Sequence, residues 1–337
     1  MTRAVVVGVG AVGSRAARQL SSSGDLASLA VVDRDSARAA LVAEALGSPA
    51  VARPWSTQVV READVVVLAG PRDIRLLAEE ALSEGAHVIS ADDGEDAARE
   101  LLALDAEARE RQRIVAVGAG FSPGLSCVLA RHAASLFDRV EDVRVARSGT
   151  GGPVCADGRQ RALRGSAPDW RRGAWVPAAG GRELCWFPEP VGGRDCVPAH
   201  LPDALLLAPA FPDASVVTAR TATTWRDRVG PLSRLTRSRP EGLIGALRVE
   251  VRGMRDGRWE TVVLGAVDRP AVAAGTVAGM AALWAARGRL ARWGAAGLGE
   301  LVDQPPGFLR ALAERGVRAA SFEPAGGDHG PPVGAPS

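Results

Sequence analysis

The N-terminal stretch MTRAVVVGVGAVGS constrains the fold of this chain more than any other segment. An apolar run leads directly into Gly8, Gly10 and Gly13, and this order predicts a buried strand, a tight glycine turn and the start of a helix. The first glycine permits the turn, the second lets the backbone approach a pyrophosphate, and the third lets the helix pack closely on the strand. Because a helix N-terminus presents free N–H groups, the stretch predicts a site for the phosphates of a dinucleotide.

A second apolar run supports this interpretation, because it ends on an acidic residue at the distance expected in a dinucleotide-binding unit. The run Leu29 to Val32 closes on Asp33, where the ribose hydroxyls of a dinucleotide would be held. Asp33 repels a 2′-phosphate and favours NAD, whereas the adjacent Arg34 can accommodate that phosphate. We therefore expect NAD(P) as the cofactor, with NAD favoured.

Strands and helices continue to alternate beyond this unit. Residues 63–70 form a continuous apolar run typical of a central parallel strand, residues 86–91 and 114–117 predict two more strands, and 94–112 predicts one long helix. The fold class is therefore α/β, with a Rossmann doubly wound parallel sheet whose ligands bind at the carboxyl edge. The residues predicted to contact the cofactor are Gly8, Gly10, Ala11, Val12, Gly13, Asp33, Arg34, Ala69, Gly70 and Pro71.

Composition excludes several functions. All 41 basic residues are arginine, and the chain has no lysine and no tyrosine, which excludes Schiff-base enzymes and those with a catalytic tyrosine and lysine pair. The net charge is only +2, and residues of both charges are interspersed along the sequence, so we expect no nucleic-acid partner. With no membrane-spanning run and no leader pattern, we expect a cytoplasmic protein. The cysteines, expected to be isolated thiols without a metal, are Cys127, Cys155, Cys185 and Cys196.

The segment GAGFSPGLS, from Gly118 to Ser126, follows the predicted strand at 114–117. Together with the glycine turn and the strand ends described above, it resembles the saccharopine dehydrogenase family, over roughly residues 1–135. The resemblance implies a nucleotide domain, a crossover helix into an antiparallel substrate domain, and a final helical return to the first domain. It also implies an NAD(P)-dependent oxidoreductase, in a family that includes reductases acting on amino-acid imines.

The rest of the sequence is compatible with that plan. Strands are predicted at 139–148, 215–225, 243–252 and 259–266, and the third alternates apolar and charged residues as a sheet with one solvated face does. A helix of small residues is predicted at 270–287. We expect a Rossmann domain, a second α+β domain with a mostly antiparallel sheet, C-terminal helices returning to the first domain, and a disordered tail, with the boundaries 1–122, 123–269, 270–320 and 324–337.

Asp92, His132 and Arg147 are the candidates for catalysis or substrate binding. Asp92 and Asp93 follow a strand at the carboxyl edge and can orient a substrate or accept a proton, or else cap a helix. His132 can act as an acid or lie at the surface, and Arg147 can clamp a carboxylate or end a strand in solvent. Arg159, Arg161 and Arg164 can line an anionic pocket or form a solvated surface. Trp170, Trp175 and Trp186 can form a wall of the substrate site or pack in the core.

The leading hypothesis is an oxidoreductase that passes a hydride between NAD(P) and a small carboxylate-bearing substrate, such as an amino acid or imine. Without lysine or tyrosine, imine reduction is easier than alcohol oxidation, because an iminium needs less help from an acid. The alternatives are a catalytically inactive, redox-responsive dinucleotide-binding protein and an NAD-using epimerase or lyase. The expected partners are a small-molecule substrate, no nucleic acid, no membrane, and a second copy bound through the second-domain sheet.

Overall fold

The computed structural model describes residues 1–151, 153–165, 167–223 and 242–322. The predicted tail, 324–337, lies outside these ranges. The first part of the chain alternates strands with helices as expected, in the order β1 (Thr2–Val7), α1 (Ala11–Ser21), β2 (Leu26–Val32), α2 (Ser36–Leu46), β3 (Ala50–Ala52), α3 (Thr57–Arg61), β4 (Val65–Leu68), α4 (Ile74–Ser83), β5 (His87–Ser90), α5 (Glu95–Leu102), α6 (Asp105–Glu110) and β6 (Ile114–Val117).

The middle of the chain is richer in strands. Its elements are α7 (Leu125–Ala134), β7 (Arg139–Ser148), α8 (Pro153–Arg164), β8 (Pro168–Arg171), β9 (Ala174–Pro177), β10 (Glu183–Trp186), β11 (Gly193–Pro198), α9 (Pro202–Leu207), β12 (Val216–Ala222), β13 (Gly245–Arg255) and β14 (Arg258–Asp268). The C-terminal part contains α10 (Pro270–Ala286), β15 (Gly294–Gly297), α11 (Leu298–Leu301), α12 (Pro305–Ala313) and β16 (Ala319–Phe322).

The first sheet has seven strands in the order β15-β6-β5-β4-β1-β2-β3, and all its neighbouring strands are parallel. Its central strands β1 and β4 are almost wholly buried, as strands covered on both faces must be. The predicted Rossmann sheet is therefore confirmed. The C-terminal strand β15 returns to pair with β6, an edge position that the sequence analysis did not anticipate.

The second sheet is mixed and has nine strands. Its main path is β10-β11-β12-β7-β13-β14-β16, with the β8–β9 hairpin attached to β12. Only β12 and β7 run parallel among its described pairs; the others are antiparallel, so the predicted mostly antiparallel sheet is confirmed. The region 150–212, for which no elements were predicted, contributes α8, four strands and α9.

One prediction about the first domain is wrong. The single helix expected over 94–112 is two helices, because the chain turns between Leu102 and Asp105. The carboxylate of Asp105 accepts a hydrogen bond from the backbone N–H of Ala295 on β15 at 2.9 Å. This contact joins the start of α6 to β15, and the helical periodicity of the residues does not reveal it.

Helix α10 joins the C-terminal part to the nucleotide domain by packing on α1. Gly275 and Gly279 make this close approach possible: a Cβ on Gly275 would lie 2.6 Å from the backbone oxygen of Val12, and one on Gly279 would lie 2.9 Å from Cβ of Gln19. The predicted small-residue helix is thus confirmed, and its packing brings the start of α10 beside the glycine turn. Within the described ranges, no helix is both long and apolar enough to cross a bilayer.

Candidate functional site

The glycine turn after β1 is held by contacts that require two of its three glycines. Gly8 has a φ of +85°, and a Cβ there would lie 2.6 Å from the carbonyl oxygen of Ala69. A Cβ on Gly13 would collide with the carbonyl oxygen of Gly8. The turn after β4 therefore lies directly against the glycine turn, as expected where parallel strands end at one edge.

The remaining glycine of the turn, Gly10, leaves room for a ligand. Gly10 is the N-cap of α1, and its Cβ position meets nothing within 4 Å. The N–H groups of Ala11, Val12 and Gly13 donate to no acceptor among the described residues, and no side chain caps this helix. Such free N–H groups beside open space suit a pyrophosphate, so the residues present fit a bound dinucleotide.

Asp33 ends β2 beside the same turn. Its Oδ2 accepts from the N–H of Val9 at 2.8 Å, and its Oδ1 accepts from the N–H of Asp35 at 2.9 Å. These two bonds fix the carboxylate at the mouth of the turn, while each oxygen keeps a further lone pair for a hydroxyl donor. Arg34 is exposed next to it.

A small cavity of about 50 Å³ opens between the two sheets, beside the glycine turn. The nucleotide domain contributes Val12 and Ala91, and the start of α10 contributes Pro270 and Ala274. The other lining residues come from the turn after β5, the segment after β6, the end of β7 and α8, and they are Asp93, Gly120, Phe121, Ser122, Arg147, Ser148, Gly149, Thr150, Gly151 and Cys155. The structure thus brings Arg147 close to the expected cofactor site.

Arg147 is the central charge of this cavity. It is only 6% exposed, and its Nη1 donates to Oδ2 of Asp93 at 3.0 Å and to the carbonyl oxygen of Ser122 at 2.7 Å. Its buried Nε has no hydrogen-bond partner among the described residues. A buried guanidinium with an unused donor favours an anionic ligand, because an unpaired buried donor carries a desolvation cost.

The segment Gly120–Leu125, which carries the sequence resemblance, is a tight loop that presents Ser122 to Arg147. The N–H of Gly120 donates to the carbonyl of Pro123 at 2.9 Å, and Gly124 has a φ of +120°, with no room for a Cβ against the backbone of Gly120. Backbone hydrogen bonds within the loop, including one from the N–H of Leu125 to the carbonyl of Gly120 at 2.9 Å, define its conformation.

Asp203 anchors this loop from α9. The hydroxyls of Ser122 and Ser126 both donate to its Oδ1, at 2.8 Å and 2.6 Å. Asp203 is fully buried, and that burial raises the pKa of its carboxyl. The sequence analysis missed Asp203, since it lies far along the chain in a region with no recognisable motif.

The two aspartates after β5 make different contacts, and the sequence did not show which of them faces the cavity. Asp92 accepts from the N–H of Gly94 at 2.8 Å, at the start of α5, and burial raises the pKa of its carboxyl. It does not line the cavity, whereas Asp93 lines it and pairs with Arg147. The structure therefore places Asp93, rather than the predicted candidate Asp92, at the site.

His132 lies near the end of α7, about two turns from the loop that enters the cavity. It is absent from the cavity wall, and its buried Nδ1 has no partner among the described residues. The structure does not bring it to Arg147.

The cavity wall also lacks the three tryptophans and three arginines considered above. Arg159 is buried instead, and its guanidinium donates to the carbonyl of Ala222.

Cys155 on α8 is a lining residue that sequence reasoning did not single out. Burial, reinforced by the nearby carboxylate of Asp93, raises the pKa of its thiol to about 12. The side chain is therefore a neutral thiol at physiological pH. No sequence signal identified it, because the approach of α8 to the cavity depends on the packing of the two sheets.

Residues 8–117 match the family model described as the NAD binding domain of homoserine dehydrogenase. No curated protein matches the chain by sequence. Among solved structures, saccharopine dehydrogenase (L-Glu forming) from Saccharomyces cerevisiae is 15% identical with a TM-score of 0.70, covering 96% of this chain and 100% of that one. Amine dehydrogenase from Mycobacterium smegmatis is 14% identical with a TM-score of 0.55, covering 90% and 98%. A probable dehydrogenase from Thermotoga maritima is 11% identical with a TM-score of 0.50, covering 95% and 98%.

The two-sheet fold of this chain is similar to that of the saccharopine dehydrogenase structure, and its N-terminal residues 8–117 match a model of an NAD-binding domain. The likeness to saccharopine dehydrogenase that the N-terminal motifs predict is confirmed at the level of the fold. Because these identities are low, they establish the architecture, and the substrate must be argued from the residues of the cavity.

Proposed function

We propose that this protein is an NAD(P)-dependent oxidoreductase that transfers a hydride to or from a small carboxylate-bearing substrate, with an amino acid or its imine as the substrate class. The observation that carries this proposal is Arg147, a buried guanidinium with an unused donor in the cavity beside the glycine turn. A guanidinium in this setting binds a carboxylate through paired, charge-assisted hydrogen bonds.

Arg147 and Asp93 supply opposite charges to one small cavity. The guanidinium would bind the substrate carboxylate, and the carboxylate of Asp93 would face an ammonium or iminium group. Since the two side chains already pair at 3.0 Å, a zwitterionic substrate would separate them and pair with each. The buried side chain of Phe121 and the start of α10 exclude water from the remaining wall.

The nicotinamide supplies or accepts the hydride when it is bound. The chain's own contribution to proton transfer is limited to the titratable groups of the cavity, which among the described residues are Asp93, Arg147 and Cys155. An iminium needs no acid at the moment of reduction, and Asp93 stabilises its charge. This chemistry suits a chain without lysine or tyrosine.

The residues at the end of β2 support the proposal of NAD as the preferred cofactor. Asp33 is fixed by two backbone N–H groups at the point where a 2′-phosphate would approach, and this supports NAD over NADP. Arg34 is exposed beside it and can moderate the preference.

A two-stage experiment tests the proposal. Calorimetric titration with NAD, NADH, NADP and NADPH measures cofactor binding first. Amino acids with the oxidised cofactor, and keto acids plus ammonia or amines with the reduced one, are then screened for a change in nicotinamide absorbance. Turnover of at least one carboxylate-bearing substrate is expected. Tight binding with no turnover of any of them would favour the redox-responsive alternative and overturn the proposal.

A further inference from the structure

The hairpin of β10 and β11 carries two cysteines that the cavity does not use. Cys185 and Cys196 are free, and they are 6% and 0% exposed. The strand register pairs Cys185 with Arg194 and Cys196 with Glu183, so the two cysteines occupy diagonal positions on the same face of the hairpin. All four thiols are free, as expected. The diagonal placement of Cys185 and Cys196 is a finding of the structure, because spacing along the chain does not show the register of a hairpin.

The surroundings of the pair favour a thiolate on one sulfur. The Cys196 thiol lies close enough to stabilise a Cys185 thiolate, which lowers the pKa of Cys185 and raises that of Cys196. Arg248, whose guanidinium pairs with Glu250 and also donates to the carbonyl oxygen of Trp186 at 3.3 Å, adds a positive charge nearby. The carboxylates of Glu183 and Glu250 oppose its effect on the pKa of Cys185. Cys185, which adjoins Trp186 and therefore this guanidinium, is taken as the attacking sulfur, and Cys196 is its diagonal partner on the same face of the hairpin.

We propose that Cys185 and Cys196 form a reversible disulfide when the protein meets hydrogen peroxide. The Cys185 thiolate attacks one peroxide oxygen, the O–O bond breaks, and sulfenic acid and hydroxide form. The Cys196 sulfur then attacks the Cys185 sulfur, the S–S bond forms, and the sulfenic oxygen leaves as water. Overall, two thiols and one peroxide give one disulfide and two waters, with two electrons passing from the sulfurs to the peroxide.

The edge position of the hairpin allows the small movement that this bond requires. Diagonal neighbours on antiparallel strands have Cα atoms about 7–8 Å apart, whereas disulfides need about 4.4–6.8 Å. Among the strands that the structure describes, β10 is the outermost of the second sheet. Strand β11 pairs with β12 from Cys196 onwards. Strand β10 can therefore shift relative to β11 and bring the two cysteines closer. The main core is not disturbed, because the small apolar cluster around the two thiols is separate from it.

The consequence is a hairpin whose stability depends on redox conditions. A cross-link between adjacent strands restricts the unfolded chain and holds the hairpin closed. The exposed Leu184 and Trp186 alternate with Cys185 along β10, so the bond also fixes how this apolar edge is presented. This inference does not depend on the proposed function.

Mass spectrometry of the full chain after treatment with hydrogen peroxide tests the proposal. A loss of about 2 Da, reversed by dithiothreitol, and a peptide that links Cys185 to Cys196 are expected. In Cys196→Ser the reaction should stop at a sulfenic acid on Cys185, which dimedone traps, whereas Cys185→Ser should leave Cys196 reduced. Cys127→Ser is the matched control and should form the bond like the wild type.

The melting temperature of the oxidised wild type should exceed that of the reduced protein by several degrees. Circular dichroism tests whether each variant is folded. If a variant is not folded, the proposal is decided by peptide mapping of the oxidised wild type. The proposal is overturned if peroxide oxidises Cys127 or Cys155 first, if only disulfides between chains form, or if the 185–196 peptide never appears.

Discussion

Nη1 of Arg147 lies 3.0 Å from Oδ2 of Asp93, and this ion pair joins the end of β7 in the second sheet to the turn after β5 in the first. The same nitrogen donates to the carbonyl of Ser122, whose hydroxyl is bound to Asp203. Four segments that are distant in sequence therefore determine the position of one guanidinium. The predictions below begin from that guanidinium.

Replacement of Arg147 by Gln should raise the KM for a carboxylate-bearing substrate by about 10-fold to 100-fold, because one charge-assisted interaction is lost. The Kd for the dinucleotide should stay unchanged. Arg144→Gln is the matched control, since Arg144 lies on the same strand but on the opposite face and pairs with Asp142. Steady-state kinetics on both variants measure the two KM values. Equal KM values for Arg147→Gln and wild type would show that Arg147 does not bind the substrate.

Gly10→Val should weaken dinucleotide binding at least about 10-fold, because the added side chain would fill the space that a pyrophosphate needs. Folding should be little affected, since a Cβ at this position meets nothing within 4 Å. Gly180→Val, at a glycine with equally open surroundings, provides the control. Calorimetric titration measures both, and undiminished binding by Gly10→Val would show that the glycine turn is only architectural.

Gly275→Ala should destabilise the fold by about 1–3 kcal/mol, the usual cost of overpacking a close contact. A methyl group there would lie 2.6 Å from the carbonyl oxygen of Val12, where α10 meets α1. Gly307→Ala on α12 is the control, because its Cβ would make an ordinary contact at 3.7 Å with Trp284. Urea denaturation should show a lower midpoint for Gly275→Ala alone, and equal midpoints would contradict the packing described above.

His87 should make the protein less stable in mild acid. Its Nδ1 accepts a hydrogen bond from the N–H of Ile114 at 3.1 Å, and burial lowers the pKa of its imidazole from 6.5 to about 4. The unfolded chain therefore binds a proton more readily than the folded one, so stability falls as the pH drops from about 6.5 to about 4. Over this interval the loss amounts to about 3 kcal/mol.

His87→Asn separates this effect from the titration of carboxyl groups, because the asparagine oxygen can accept the same bond and does not ionise. The free energy of unfolding should be measured from pH 4 to pH 8 for both proteins. The slope below pH 6.5 should be shallower for His87→Asn, and parallel curves would show that His87 does not titrate as described.

The limits of the sequence are clearest around Asp92 and Asp93. Both were recognised as an acidic pair at the carboxyl edge. The direction in which the chain leaves β5 decides that Asp92 binds the N–H of Gly94, the N-cap of α5, whereas Asp93 faces the cavity. Arg147 was identified because a glycine-rich loop follows it. Asp203 and Cys155 were not, since their elements reach the site only through the packing of the second sheet.

Local sequence patterns were sufficient to predict the parallel sheet, the glycine turn with its free helix N-terminus, and the small-residue helix at 270–287. Each of these depends on residues close together in the chain, where periodicity and glycine geometry act directly. Tertiary contacts determine the split of the 94–112 segment, the pairing of Arg147 with Asp93, the burial of Asp203 and the diagonal placement of Cys185 and Cys196. These depend on contacts between distant segments, which form when two sheets pack and which no local pattern encodes.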